Sequence, residues 1–149
     1  MTRRRRTGPA AAGLALFLPL LAGGCAGTWA DTGPGGTCPT VAATPVLSAQ
    51  LLLGGRRRDG SRIGEAAWRR FLATRITPRF PAGLTVLPGQ GQWTGPDGRL
   101  LREPARVVLI VTAASPQALA DLDAIREEYR TAFDQNSAGL VLTPGCARF

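Results

Sequence analysis

An α+β fold, with two helices on one face of a four-stranded antiparallel sheet, is predicted by three observations. Hydrophobic periodicity alternates in type along the chain: strand, helix, strand, strand, helix, strand. Pro78, Pro81 and the turn T-G-P-D-G-R cut those segments apart sharply. One segment, Arg106 to Thr112, is apolar on both faces and therefore belongs in the middle of a sheet.

Each element has its own warrant. From Val46 to Leu53 the residues Leu47, Ala49, Leu51 and Leu53 share one face, with Ser48 and Gln50 on the other, which predicts a strand. The run G-G-R-R-R-D-G is a loop, after which Ser61 is expected to cap a helix from about Ile63 to Ile76. Ile63, Ala67, Trp68, Phe71 and Leu72 give that helix its apolar side, and Pro78 and Pro81 end it. A second strand starts over Leu84 to Leu87. Pro88 and the glycines behind it make an edge position the natural one.

After the central strand, Ser115-Pro116 supplies an N-cap and a first-turn proline for a long helix. Its stripe is Ala118, Leu122, Ile125, Tyr129, Ala132 and Phe133, and the acids face away. Leu140 to Thr143 is a last short strand.

This order is the ferredoxin-like βαββαβ pattern. Right-handed crossovers put both helices on one face and make the first and third strands central. The other face is left uncovered, and this reading assigns Leu52, Val108, Ile110 and Val141 to it. An apolar surface of that kind marks an interface, and a homodimer through the sheets is expected.

Residues 1 to 25 carry four arginines (Arg3 to Arg6), then an apolar run and a small-residue exit, L-A-G-G-C. That is the layout of a secretory leader. The exit is similar to a bacterial lipobox, so lipidation of Cys25 and a membrane anchor through it are expected; cleavage after Ala30 is the alternative. Residues 26 to 43 are rich in glycine, proline and threonine and read as a flexible tether, leaving the domain at residues 44 to 149. In the predicted topology the first and last strands are antiparallel neighbours, so Cys38 and Cys146 emerge at the same end. An oxidising compartment then makes them a disulfide.

Composition excludes more than it assigns. All eighteen basic residues are arginine, with no lysine and no histidine. Removing the leader leaves fourteen arginines against ten acids, an excess too modest to imply nucleic acid. Without histidine or lysine there is no Ser-His-Asp triad, Cys-His pair or Schiff base. No metal site of ordinary type, no dinucleotide fingerprint and no P-loop is present, and no cofactor is expected.

The stretches G-E-A-A-W-R-R-F-L, T-P-R-F-P-A-G-L-T-V, G-Q-W and R-E-P-A-R-V-V-L-I-V resemble a family of small exported bacterial proteins, the domain of unknown function 3574. The likeness covers about Leu51 to Phe149. It implies no activity and no catalytic residues. Two features depart from the family pattern: an aromatic residue is missing near Leu52 or Leu53, and Arg56 to Arg58 sit in a loop that is ordinarily less basic.

Two clusters are candidate sites. Trp68, Arg79, Phe80, Trp93 and Glu103 can line a ligand pocket, with Gly89 and Gly91 leaving a groove beside the Trp93 ring and Arg79 and Glu103 fixing a polar group. The same residues read otherwise as a packed corner in which Arg79 and Glu103 satisfy each other. Arg56, Arg57, Arg58 and Arg62 surround the start of the first helix and can hold an anion there. A solvated loop is the plainer reading of that run. The sequence thus predicts a non-enzymatic envelope module that binds a ligand or partner. A small acid–base enzyme using Glu103 and Arg79 beside Trp93 is the alternative.

Overall fold

The computed structural model describes residue 38 and residues 42–95 and 97–149. The leader, Cys25 and most of the tether lie outside the described residues. Strand β1 (Thr44–Gly54) follows its alternation: Leu47, Ala49, Leu51 and Leu53 are buried, while Leu52 is exposed. Helix α1 (Glu65–Phe71) is shorter than expected and continues as a π-helical turn, Leu72–Ile76. There Thr77 N–H donates to Leu72 O at 2.9 Å, a five-residue step. The wide turn delivers Ile76 fully into the core, just before Pro78 removes the next backbone donor.

Ser61 does not cap α1. Its N–H donates to Asp59 Oδ1 at 2.8 Å, and the N-cap is Gly64, with no side-chain bond. The arginine loop closes on itself, through Arg57 N–H to Ser61 O at 2.8 Å and an Arg56–Arg62 bridge, and so occupies the serine.

Strands β2 (Thr85–Thr94) and β3 (Leu100–Thr112) form one long hairpin, with Thr85 opposite Leu109 and Thr94 opposite Leu100. The sequence reading began the third strand only at Arg106, because R-E-P-A has no two-residue alternation to announce it. Trp93, Leu100 and Leu101 are all exposed at the hairpin's end. Helix α2 (Pro116–Ala132) starts as expected, with Ser115 Oγ accepting from Ala118 N–H at 3.1 Å. Ala118, Leu122, Ile125, Tyr129 and Phe133 are buried; Ala132 is exposed at the helix end. Strand β4 spans Gly139–Ala147.

The sheet order is β2-β3-β1-β4, antiparallel throughout, which is the ferredoxin-like arrangement. Cys38 and Cys146 form a disulfide with Cα atoms 5.4 Å apart, at the end of the sheet where Pro45 pairs with Cys146. A disulfide fits an oxidising, non-cytoplasmic compartment. Among the described residues no helix is long and apolar enough to cross a membrane.

One face assignment is corrected. Val108 pairs with Leu51 and Ile110 with Ala49, so both point into the core and are buried. The uncovered face holds Val107, Leu109 and Val111 beside Leu52 and Val141 instead. A strand apolar on both sides carries no alternation, and only its register with β1 decides which parity meets the helices.

The core is centred on Tyr129, whose ring lies edge-on to Phe71 at 5.2 Å and Trp68 at 6.3 Å and tilted against Phe133 at 4.7 Å. Arg106 fastens α1 to β3. Its guanidinium sits 4.8 Å over the Trp68 ring and donates to Glu65 at 2.8 Å.

Candidate functional site: a cleft on the uncovered sheet face

A cleft of about 1060 Å³ opens where β1 ends, bounded by the β2–β3 hairpin, the arginine loop and residues 134–137 after α2. Residues on one face of adjacent strands alternate, so Gly89, Gly91 and Trp93 on β2 stand opposite Ala105, Glu103 and Leu101 on β3. Glu103 Oε2 accepts from Arg56 N–H at 3.1 Å. Gln135, buried, donates from its side-chain amide to Arg56 O and so ties the post-helix segment to the arginine loop. Tyr129 reaches the same place from below, its hydroxyl donating to Gly54 O at 2.7 Å.

The glycines around this cleft divide into two kinds. A Cβ on Gly54 would lie 2.6 Å from Gln135 Oε1 and 2.9 Å from Glu103 Oε2, and one on Gly55 would lie 2.7 Å from Pro104 O. At Gly55 the Pro104 backbone leaves no room for a side chain, and at Gly54 a side chain would have to displace the ends of Gln135 and Glu103. Gly89 and Gly91 are different. A Cβ on Gly89 would approach nothing nearer than Ala105 O at 3.9 Å, and one on Gly91 would make ordinary contacts from 3.6 Å. Neither has a positive φ. Glycine inside a strand costs roughly 0.5–1 kcal/mol relative to alanine, and here neither conformation nor crowding requires it. Over Gly89 and Gly91 no side chain stands on β2 and no steric cause requires it; glycine inside a strand often marks a bulge, a bend or the close approach of a ligand or another backbone.

Residues 48–149 match the family described as "Protein of unknown function (DUF3574)". The chain belongs to this family. No curated protein matches the DUF3574 chain. Among solved structures it is similar to a phage SAM lyase in complex with S-methyl-5'-thioadenosine, at 18% identity and TM-score 0.54, over 68% of this chain and 90% of that one. The same lyase in its apo state matches at 16% identity and TM-score 0.53, over 68% and 84%. CutA1 from Oryza sativa matches at 14% identity and TM-score 0.45, over 68% and 81%. The lyase likeness establishes the fold.

The structure separates the expected pocket residues of this DUF3574 domain into two groups. Trp93 and Glu103 are in the cleft. Trp68 and Phe80 are buried on the helix side of the sheet. Arg79 does not meet Glu103: it forms a two-pronged pair with Glu128 on α2, at 2.6 and 3.1 Å, stands 3.6 Å from Asp121, and donates to Arg75 O at 2.9 Å. The arginine of T-P-R-F is therefore a clamp that holds the corner after the π-helical turn against α2. Spacing alone could not show this, because its partner is 49 residues away.

That pair holds the Glu128 carboxyl below its ordinary range, chiefly through the Arg79 hydrogen bonds. A depressed carboxylate stabilises the fold above its unfolded pKa and loses that contribution as pH falls through the folded value. Glu128→Gln is expected to cost about 1–2 kcal/mol at pH 7. Melting curves for the variant and the wild type should draw together as pH falls below the ordinary carboxylate range; a gap unchanged by pH would refute the pairing.

The arginines do not assemble at the helix start. Arg56 donates to Gly60 O at 2.8 Å, Arg57 to Arg62 O at 3.2 Å, and Arg58 pairs with Asp134 at 3.0 Å. Arg62 is exposed. Since α1 begins only at Glu65, with an acid in its first turn, the anion site at its N-terminus is not formed. Arg56, Arg57 and Arg58 instead line the cleft. Sequence reasoning missed Gln135, in a D-Q-N-S stretch that reads as an ordinary post-helix loop, and it missed the contact of Tyr129 with Gly54. Among the described residues no cluster of acids and cysteines suited to a metal ion occurs.

Proposed function

We propose that this domain is an extracytoplasmic, lipid-anchored binding module that holds a small ligand in the cleft over Gly89 and Gly91, beside Glu103 and Trp93. The observation that carries the reading is the pair of unforced glycines on an otherwise ordinary strand. The disulfide and the leader with its lipobox Cys25 support the location. Cys38, where the tether meets the domain, lies at the Pro45 end of β1, and the cleft lies at the Gly54 end. Nine residues of strand separate them, about 30 Å. Arg79 is committed to Glu128, so the acid–base alternative keeps only Glu103, which stands in the cleft without that arginine.

The test uses Gly91→Val. Valine suits a strand and its Cβ meets only ordinary contacts there, so the variant should melt no lower than the wild type while its methyls project into the cleft. Mass spectrometry of small molecules released from the purified, exported proteins should find a compound in the wild type that is absent from the variant. The same released compounds from both, or none from either, would defeat the reading.

A second use of the same face is supported by its composition. Away from the cleft it carries Val46, Ser48, Gln50, Leu109, Val111, Leu87 and Val141, none of them charged. Two copies can meet there without opposing like charges. Light scattering should show dimers at micromolar concentration that Val141→Arg disperses; a monomer throughout would exclude the association.

A further inference from the structure

We propose that the ligand is a flat nitrogen heterocycle bearing an anionic substituent, its N–H edge on the Glu103 carboxylate and its anionic end toward Arg56 and Arg57. This rests on the cleft being a ligand site and specifies the chemistry it selects. Shape is the first constraint. Gly89 and Gly91 are alternate residues of one strand, so the exposed backbone forms a shelf about 7 Å long with no side chain standing on it. Trp93 continues the shelf on the same face. A shelf of bare peptide ending at an indole accepts a planar ring lying flat; a branched or spherical group would leave most of it uncovered.

Hydrogen bonding is the second constraint. An ionised carboxylate accepts only, with about four lone-pair directions. Among the described residues Glu103 receives one hydrogen bond, from Arg56 N–H to Oε2. A group that covers Glu103 must therefore donate, because a desolvated, unmet carboxylate is costly. A ring N–H or amino edge does so within the plane of the shelf.

Charge is the third. Arg56 and Arg57 each commit one amino group to a backbone carbonyl, which fixes the guanidinium while leaving its other N–H groups available. Arg58 is offset by Asp134. With Arg106 likewise offset by Glu65, the cleft lining leaves Arg56, Arg57 and Arg102 against Glu103 and Asp97, an excess of one guanidinium, with Arg56 and Arg57 together on the loop side. A purely cationic ligand would suit Glu103 and be repelled by the arginine loop. A purely anionic one would suit the loop and be repelled by Glu103. A donor edge and an anionic group on the same molecule satisfy both.

The experiment is calorimetric titration of the exported, disulfide-bonded protein with three probes: adenosine monophosphate, adenosine and inorganic phosphate. Adenosine monophosphate should bind roughly tenfold or more tightly than either of the others. Arg57→Gln should weaken the monophosphate and leave adenosine unchanged, and Glu103→Gln should weaken both ring-bearing probes; melting curves check that each variant is folded. Equal binding of adenosine and its monophosphate would overturn the anionic end. Phosphate binding as well as the monophosphate, indifferent to Glu103→Gln, would overturn the ring. No binding by any probe, while the wild type still carries a compound that Gly91→Val lacks, would overturn the ligand class and leave the cleft standing. No binding and no released compound would overturn both.

Discussion

Removing the Cys38–Cys146 disulfide is expected to lower stability by about 2–4 kcal/mol, and for a domain of this size to lower the melting temperature by on the order of 10 °C or more. The bond spans 108 residues, so in the chain-entropy picture it restrains nearly the whole unfolded domain. It also acts at a weak point. Strand β4 is an edge strand that pairs only with β1, and Val141, Leu142 and the residues up to Pro144 are exposed. Little apolar burial holds that half of the strand in place. The disulfide fixes Cys146 opposite Pro45, a residue with no N–H to donate to the ladder. Thiol reduction of the wild type and Cys146→Ala should therefore produce the same drop. Amide exchange should rise first in β4, with β1 and β3 still protected. Equal melting of the oxidised and reduced protein would show that the β1–β4 register needs no covalent help.

That strand illustrates how much the sequence could disclose. Strand β1 and helix α2 announce themselves because each has one clean period and one buried face, with Ser115-Pro116 marking the helix start. From those two and the order of the remaining segments, the sheet topology and the meeting of Cys38 with Cys146 follow. What could not be read is whatever depends on partners distant in sequence. Val107 and Val108 are both apolar, and only pairing with Leu52 and Leu51 tells which of them faces solvent. Arg79 has acids available on either side of the sheet, and only the packing of α2 against the T-P-R-F corner selects Glu128 over Glu103. Part of the cleft was legible: Gly89, Gly91 and Trp93 fall on one face by strand alternation alone, whereas Glu103 lies before the strand the sequence announces and reaches them only through the β2–β3 register. Gln135 comes from the turn after α2, where Asp134 adopts a positive φ and no local pattern points toward β1.

Tyr129→Ala is expected to cost about 3–5 kcal/mol, as truncation of a fully buried aromatic does, since three other rings lose their neighbour. Tyr129→Phe is the more instructive change. It keeps those ring contacts and removes only the hydroxyl that donates to Gly54 O, at a cost of about 1–2 kcal/mol near neutral pH. Burial pushes the phenol's pKa well above its ordinary value. An acid whose folded pKa is raised leaves the unfolded state holding fewer protons above about pH 10, so stability must fall as pH rises there, by at most roughly 1.4 kcal/mol per unit. The chain has no lysine and no histidine, only one tyrosine, and both described cysteines are bonded to each other. Among the described residues no other side chain titrates between neutrality and the arginine range. The alkaline limb of stability therefore belongs to one phenol. The phenylalanine variant, weaker at pH 7, should show almost no loss between pH 9 and 11.5 and should overtake the wild type at the top of that range, as read by urea midpoints across the series. Parallel curves for the two proteins would mean that the hydroxyl is not held in the core. Because Gly54 shares its site with Glu103 and Gln135, the same variant should also release more of any compound bound in the cleft than its small stability loss accounts for. A core hydroxyl would then be setting the geometry of a surface site from beneath the sheet.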